Sequence, residues 1–436
     1  MLMTLVMTPV STSTGYSPAC TTSSTNVATS ALRRLSGFRQ GTNTSGFLKY
    51  DSVDWNQSEG MNLFPLLVLG CFFGLSAGGY LTRSGKHFVH NGKKVFLSGA
   101  NTAWVSYGYD FGNHQYQQRR NRYLYLMDKV KNAGGNSMRT WVHIEGATSP
   151  KFDHNGYVTG LDSDGSFISD FKRYLDDAKA RNILIFPCLW NGAQVKHPAP
   201  LGGLIYDTHK LQSYIDKALI PWVKAVKDHP ALGGWDIINE FEGFIKPGEH
   251  NSEPCFDTTP LTKAGAGWAG HLYPAQPILR FINWQADAIR RVDPNALVTA
   301  GSSSQVSQSD QWGDRNYYSD HCLIKAGGKQ HGTLTFYSTH TYSWNHQFQS
   351  DATFKHNADD YKLDKPLVIA EFNSIKGAGM SIQSQFQFAY NHNYAGAWSW
   401  HANADGSDTD GTDHQMQGIA ALRGKNGAGG EVAVHL

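Results

Sequence analysis

The sequence lacks an excess of charge of either sign. Lys and Arg total 38 and Asp and Glu total 36, so the formal net charge is +2 over 436 residues. A chain so nearly neutral gives no electrostatic reason to expect nucleic acid or an acidic surface as its partner. A neutral molecule is therefore the better candidate ligand.

The first 60 residues lack any sustained hydrophobic period. They are rich in Ser, Thr, Asn and Gly and are expected to be disordered. From Met61 an uncharged apolar core ends in small residues, which predicts a secretory signal peptide over 61–79. Because a signal should begin a chain, Met61 is interpreted as the initiator and 1–60 as an extension of doubtful relevance. The alternative is a membrane anchor over 61–81; without that anchor we expect no stable membrane association.

Cysteine is scarce, with five residues in the chain. Three of them, Cys188, Cys255 and Cys322, follow the predicted signal, and their spacing resembles no metal site. An odd count in a secreted domain predicts one disulfide and one free thiol. Cys188 lies in an apolar run and is expected to be buried and free. Cys255 and Cys322 lie in loop-like stretches and are expected to pair.

Short apolar runs alternate with amphipathic patterns throughout 80–436. The runs are Lys94–Gly99, Ser137–Ile144, Ile183–Trp190, Leu232–Glu240, Ala296–Gly301, Leu334–Tyr342, Pro366–Glu371 and Gly396–His401. Helices are predicted at Gln115–Ala133, Ser166–Arg181, Lys210–Lys227, Ala275–Val292 and Met380–Asn391. Eight strands that alternate with helices predict an α/β fold, a (β/α)8 TIM barrel, because parallel strands need crossover helices. A doubly wound open sheet is the alternative, and the Gly-rich stretch after Arg423 predicts a frayed end.

Polar and aromatic side chains gather at the ends of these runs, where barrel enzymes build their sites. They are Arg139, Trp141, His143, Trp190, Asn191, Asn239, Glu240, His340, Tyr342, Glu371, Trp398 and Trp400. Aromatic residues are plentiful, with 12 Trp and 20 Tyr, and those outside a core are suited to stacking on sugars. The candidates to bind substrate are Arg139, Trp190, Asn239, His340, Tyr342 and Trp400. Among them, Asn239 is expected to bind a sugar hydroxyl and Trp400 to stack beneath a ring. Trp104 is expected either to line distal sugar sites or to cover the rim, and His143 either to contact substrate or to brace its strand.

Two of the apolar runs end in glutamate, at Glu240 and Glu371. Cleavage of a glycosidic bond needs one carboxyl that protonates the leaving oxygen and another that attacks the sugar carbon or activates water. Arg139 and Tyr342 are expected to favour an ionised Glu371, the state that a nucleophile requires. Burial beside neutral Asn239 is expected to favour a protonated Glu240, the state of a general acid.

The same residues resemble glycoside hydrolase family 5. The matching set, one group per strand, is Arg139, Asn239-Glu240, His340-x-Tyr342, Glu371 and Trp400. The stretches 95–101, 141–146, 235–240 and 395–400 are similar to those of secreted endo-β-1,4-mannanases of molluscs and other invertebrates in that family. One departure is Phe241, which stands where the family usually has Pro after the Asn-Glu pair.

The resemblance implies a retaining endo-hydrolase of β-1,4-mannosidic linkages in mannan, galactomannan and glucomannan. It implies Glu240 as acid/base, Glu371 as nucleophile, no cofactor, no metal and a secreted, extracellular digestive role. An endo-β-1,4-glucanase of the same family would keep every catalytic residue, whereas a non-catalytic sugar-binding barrel would be expected to have lost a carboxylate. Glu145 and Glu242 are interpreted as solvated loop carboxylates, with contact to sugar as the alternative, and a monomer is the default expectation.

Overall fold

The computed structural model describes residues 79–193, 198–406 and 408–436. The predicted disordered extension 1–60 lies outside the described residues, as does the predicted signal peptide 61–79 except for Gly79. In the part of the chain that is described, no helix is both long enough and apolar enough to cross a membrane.

The described chain forms short strands throughout its length. They are β1 Thr82–Ser84, β2 His87–His90, β3 Lys93–Val95, β4 Leu97–Asn101, β5 Ser137–Ile144, β6 Lys151–Phe152, β7 Val158–Gly160, β8 Leu184–Asn191, β9 Trp235–Asn239, β10 Val298–Ser302, β11 Tyr337–His340, β12 Leu367–Glu371, β13 Gly396–Ser399, β14 Asn426–Gly427 and β15 Gly430–Glu431. Eight of them, β4, β5 and β8 to β13, pair in parallel and close into a barrel. The predicted TIM barrel is therefore confirmed, and the doubly wound alternative is wrong because β13 pairs with β4 and closes the sheet.

Helices cover the outside of the barrel. They are α1 Gln115–Ala133, α2 Phe167–Lys179, α3 Pro198–Tyr206, α4 Thr208–Tyr214, α5 Ile220–Val226, α6 Ala275–Val292, α7 Asp320–Gly327, α8 Ile382–Asn391 and α9 Thr412–Ala420, with a π-helical segment at Ile215–Leu219. Short 3-10 turns lie at Phe241–Gly243, Pro254–Phe256, Thr259–Ala264, Gln305–Ser307, Thr353–Lys355 and Ala358–Tyr361. The predicted helix at 210–227 is thus α4, the π segment and α5 in succession.

The sequence determines these helices by local signals. Helix α1 ends at Ala133 because Gly134 adopts the left-handed conformation, φ 90°. Glycine adopts this conformation at little energetic cost, and it commonly ends a helix. Helix α4 begins after Asp207, whose side chain accepts hydrogen bonds from the backbone N–H groups of His209 and Lys210. Helix α6 buries the apolar side predicted from its periodicity against the barrel.

A separate small sheet lies at the end of the barrel opposite to the carboxyl ends of its strands. It joins β1, β2 and β3 to β15 and β14, and Glu431 of β15 pairs in parallel with Val95 of β3. Val434 then packs with Phe88, Phe186 and Trp398 in the lower core of the barrel. The prediction of a frayed end after Arg423 is wrong, because this stretch finds a partner strand that is distant in sequence.

One disulfide joins Cys255 to Cys322, as predicted, and Cys188 is buried as a free thiol. The bridge connects the 3-10 turn at Pro254–Phe256 to α7 and spans 67 residues of sequence. It therefore fastens the long β9–α6 connection, which forms one side of the barrel mouth, to the helix layer.

Candidate active site

Glu240 and Glu371 face each other at the mouth of the barrel. Glu371 is the last residue of β12, and Glu240 follows β9 directly. One carboxylate oxygen of each, together with a ring nitrogen of His340, lie within 4.8 Å of one another. The closed sheet therefore brings together two acids that are 131 residues apart in the sequence (371 minus 240).

Arg139 of β5 organises the floor beneath the two acids. Its buried guanidinium donates from Nη1 to Glu371 Oε1 at 2.7 Å and from Nε to Asp236 Oδ2 at 2.7 Å. Nη1 also donates to Asn101 Oδ1 at 3.0 Å, and Nη2 donates to Asn239 Oδ1 at 2.8 Å. A buried guanidinium whose N–H donors are paired with acceptors in this way fixes the orientation of every group that it binds.

The two glutamates differ in their surroundings. Burial raises the pKa of Glu240 to about 7, and the positive charge of Arg139 opposes this only in part. Burial also raises the pKa of Glu371, but the positive charge of Arg139 and a hydrogen bond from Tyr342 act in the opposite direction. The Tyr342 hydroxyl donates to Glu371 Oε2 at 3.0 Å. The sequence-based expectation for Glu371 thus included the stabilising neighbours and omitted the larger opposing effect of burial.

His340 of β11 lies between the two carboxyl groups. Its Nδ1 is 2.7 Å from Glu240 Oε1 and 3.4 Å from Glu371 Oε2. Burial lowers the pKa of His340 to about 4, so the ring is neutral at neutral pH. A neutral imidazole can donate to an ionised carboxylate or accept from a protonated one, so that His340 can hold Glu240 in either state.

A cavity of about 480 Å³ opens directly over the two glutamates. We call it the aromatic cavity, because its lining includes Trp104, Trp141 and Trp400 beside Glu240 and Glu371. Trp104 donates from Nε1 to Asp405 Oδ2 at 3.1 Å, and its ring centroid lies 5.7 Å from that of Trp400. The predicted residues Trp104 and Trp400 therefore stand together on one wall.

A second cavity of about 610 Å³ adjoins the first. We call it the second cavity, and its lining includes Lys263, Ser304, Gln305 and Gln349. Both cavities share Trp268, Tyr342 and Trp344 in their walls. The mouth of the barrel is therefore a groove that extends beyond the two glutamates into a second compartment.

His143 and Trp190 do not reach this groove. Both are about 1% exposed. The His143 ring lies against Phe167 and Trp222 of the helix layer, and its Nδ1 is 2.9 Å from Ser149 Oγ. Trp190 donates from Nε1 to Gln285 of α6 at 3.0 Å. The expectation that either residue contacts substrate is therefore corrected, and His143 braces its strand.

A change in side-chain alternation near the strand ends explains this outcome. Strict alternation would turn His143 inward after Trp141, but the register between β5 and β8 shifts between Trp141 and Ile144. Ile144, with φ 57°, then takes the inward place beside Trp141 and Cys188. On β8, Trp190 lies outward against Gln285 of α6, and the next residue, Asn191, lines the aromatic cavity.

Glu145 and Glu242 are buried, so the interpretation of both as solvated carboxylates is wrong. Glu145 accepts a hydrogen bond from Tyr107 Oη at 2.9 Å. Glu242 accepts from Tyr318 Oη at 3.0 Å and from the Ser303 backbone N–H at 3.1 Å. The sequence placed both glutamates in loops, and nothing local in it marked the loops that fold over them.

Several residues that line the aromatic cavity lie in loops for which the sequence shows no periodic pattern. They are Tyr107, Trp268, Lys376 and Asp408. Lys376 and Asp408 form an ion pair at 3.2 Å across the edge of the aromatic cavity. An abundance of aromatic residues was the only sequence signal that pointed to such positions, and it did not identify which ones.

Among the described residues, two clusters have the composition of a metal site. Glu240, His340 and Glu371 form one, and Glu253, Cys255 and His321 form the other. In the second, the sulfur of Cys255 belongs to the disulfide and is therefore no thiolate ligand. In the first, the guanidinium of Arg139 already supplies a positive charge 2.7 Å from Glu371. The chemistry that this arrangement supports directly is acid–base and nucleophilic chemistry by the two glutamates.

Comparisons with known proteins agree with this geometry. No family model matches the sequence. A mannan endo-1,4-β-mannosidase of Mytilus edulis is 54% identical over 326 residues, which are 74% of this chain and 88% of that protein. The structure of a β-1,4-mannanase from the sea hare Aplysia kurodai is 51% identical, with a TM-score of 0.79 over 82% of this chain and all of that one. The structure of a β-1,4-D-mannanase from Cryptopygus antarcticus is 43% identical, with a TM-score of 0.80 over 82% of this chain and 99% of that one. The chain belongs to the family of mannan endo-1,4-β-mannosidases, the group of glycoside hydrolases that its sequence resembles.

Proposed function

We propose that the protein is a retaining endo-hydrolase of β-1,4-mannosidic linkages in mannan, galactomannan and glucomannan. The observation that carries this proposal is the pair of glutamates, whose nearest oxygens lie within 4.8 Å. Retaining enzymes hold their two carboxyl groups about 5 to 5.5 Å apart, whereas inverting enzymes leave about 6.5 to 9.5 Å for a water. The spacing supports direct attack on the sugar by one carboxylate.

In the first step of the proposed reaction, a carboxylate oxygen of Glu371 forms a bond to the anomeric carbon. Glu240 donates its proton to the glycosidic oxygen, and the bond between that oxygen and the anomeric carbon breaks. The leaving chain departs with the proton, and the remaining chain is held as an ester of Glu371. The pKa of Glu240, raised to about 7 by burial, supports its role as the donor because it keeps the proton at mildly acid pH.

In the second step, Glu240 is a carboxylate and takes a proton from a water molecule. The water oxygen bonds to the anomeric carbon, the ester bond to Glu371 breaks, and the configuration is the original one after two inversions. Arg139 and Tyr342 keep Glu371 ionised for its attack in the first step, and in the second step their hydrogen bonds stabilise it as the leaving carboxylate. His340 follows the protonation changes of Glu240 through Nδ1.

The groove supports cleavage within a chain rather than at its end. The aromatic cavity and the second cavity adjoin at Tyr342, so sugar units can lie on both sides of the scissile bond. We assign Trp400 and Trp104 to ring stacking in the aromatic cavity. We assign Asn239, held by Arg139, to the hydroxyl beside the anomeric carbon.

Three measurements on the purified protein test the proposed function. We expect release of reducing sugar and a rapid fall in viscosity with galactomannan but not with carboxymethylcellulose. A preference for carboxymethylcellulose would instead support the endo-glucanase, and no release from either would support a sugar-binding barrel. NMR should show that the β-anomer of the product forms first; initial formation of the α-anomer would contradict a retaining mechanism.

We also propose that the protein is secreted, acts as a monomer and needs no cofactor or metal. The Cys255–Cys322 disulfide supports secretion because structural disulfides persist in oxidising compartments. N-terminal sequencing of protein recovered from the medium should begin near residue 80, whereas retention in the membrane fraction would support the anchor at 61–81. Sedimentation should give the mass of one chain, and activity should survive treatment with a chelator.

A further inference from the structure

The turn that carries Glu240 has a backbone conformation that costs energy. Glu240 has a φ of 45°, in the left-handed region that non-glycine residues rarely adopt. The residue that follows it is Phe241, so no proline ring restrains the next φ angle of the turn. Such conformations persist only where surrounding contacts enforce them. The contacts around this turn must therefore stabilise it.

One set of contacts comes from Glu242, two residues after Glu240. Its carboxylate is about 1% exposed and lies among donors from other parts of the chain. Oε1 accepts from Tyr318 Oη at 3.0 Å and from Ser302 Oγ at 3.1 Å, and it also accepts from Ser307 Oγ. Oε2 accepts from the Ser303 N–H at 3.1 Å. Burial raises the pKa of Glu242, and the hydrogen bonds from Ser307 and Ser303 oppose this rise because they stabilise the anion.

These donors attach the turn to the end of β10. The backbone N–H of Glu240 also bonds to the Gly301 carbonyl at 2.8 Å, which is the position directly before Ser302. The turn is thus fixed to β10 at two points, one before and one after Phe241. In addition, the Glu242 carbonyl accepts from Gly267 N–H at 2.8 Å, next to the groove residue Trp268.

We propose that Glu242 is a positioning residue for the proton donor: its buried carboxylate anchors the turn that aims Glu240 at the glycosidic oxygen. This inference rests on the proposed role of Glu240 as acid/base. Glu242 does not touch the substrate, because its side chain points to Tyr318 and the serines behind the turn. Its loss should impair proton donation more than substrate binding.

A merely structural role predicts something different. If Glu242 only stabilised the fold, its replacement would lower the melting temperature and reduce the rate with every substrate in equal measure. A role in aiming the proton donor predicts a loss that depends on the leaving group. A strongly acidic phenol leaves without protonation, whereas a sugar alcohol needs the proton. The value of kcat/KM isolates this first step, because it does not include hydrolysis of the ester.

The experiment compares two substrates with the same mannobiosyl group in the Glu242→Gln variant. One substrate has a dinitrophenyl leaving group and the other has an alkyl leaving group. We expect kcat/KM for the alkyl substrate to fall roughly 10²-fold, within the range of general acid catalysis, and that for the dinitrophenyl substrate to fall less than about threefold. Tyr318→Phe, which removes one donor, should give a smaller loss with the same dependence and carries the test if Glu242→Gln does not fold.

Two further variants separate the possible failures. Asp177→Asn is the matched control, because Asp177 is also a buried acid, but it binds Arg120 in the helix layer at 2.6 Å. It should lower the melting temperature without any dependence on the leaving group. Glu240→Gln should show the strongest dependence. If it does and Glu242→Gln loses both activities equally, the inference is wrong; if Glu240→Gln shows none, the proposed acid/base role has failed and the inference with it.

Discussion

Raising the pH above neutrality should suppress the reaction, because Glu240 must be protonated to release the leaving chain. Its pKa is about 7 in the folded protein. One unit above that pKa about a tenth of the molecules keep the proton, and two units above it about a hundredth do. We therefore expect kcat/KM to fall about tenfold for each pH unit above 7. The assay is kcat/KM for a mannotetraose between pH 5 and pH 9.

The same reasoning gives two controls. With the dinitrophenyl substrate the fall above pH 7 should disappear, because no proton is needed. The free energy of unfolding should also depend on pH. The pKa of Glu240 rises from 4.5 in the unfolded chain to about 7 in the folded protein, so protonation stabilises the fold fully below pH 4.5. This contribution is lost as the pH rises to 7. The loss amounts to roughly 3 kcal/mol. A fall in kcat/KM that begins near pH 5, or one that persists with the dinitrophenyl substrate, would refute the assignment of Glu240 as proton donor.

Other substitutions test the remaining parts of the site and fold. Glu371→Ala should reduce kcat by roughly 10⁴-fold or more while the circular dichroism spectrum stays unchanged, and substantial residual turnover would remove its role as nucleophile. Arg139→Met leaves two buried carboxylates without their cation and should lower the free energy of unfolding by about 3 to 5 kcal/mol in urea titrations; a loss below about 1 kcal/mol would contradict the pairing. Replacing Cys255 and Cys322 by Ser opens a loop of 67 residues and should cost about 4 kcal/mol, whereas equal stability with and without a reductant would contradict the bridge. Trp190→Phe should lower the melting temperature and leave KM unchanged, since the indole faces Gln285 and not the groove; a raised KM would reverse that correction.

The sequence was sufficient to predict the barrel and its two acids. Each barrel strand is an apolar run that overlaps its predicted range, and α1 and α6 have the predicted bounds. Glu240 and Glu371 could be identified because a carboxylate at the end of an apolar run is unusual, and a closed parallel sheet puts all such ends at one mouth. Long regular elements are specified by local periodicity, which a single sequence displays.

What the sequence could not reveal depends on contacts between distant segments. The register shift near the end of β5 turned His143 outward, and no residue type marks such a shift in advance. Glu242 looked like a loop carboxylate because its donors, among them Tyr318, come from segments more than 50 residues away. The groove residue Trp268 lies in a Gly-rich loop whose path is determined by tertiary packing alone.

The pairing of β15 with β3 affects the way the protein emerges from the ribosome. Translation produces the first barrel strand more than 300 residues before Glu431 and Val434, which complete the lower core. Phe88 and its neighbours therefore remain partly uncovered until synthesis is nearly finished, and they offer apolar surface to chaperones or to other nascent chains.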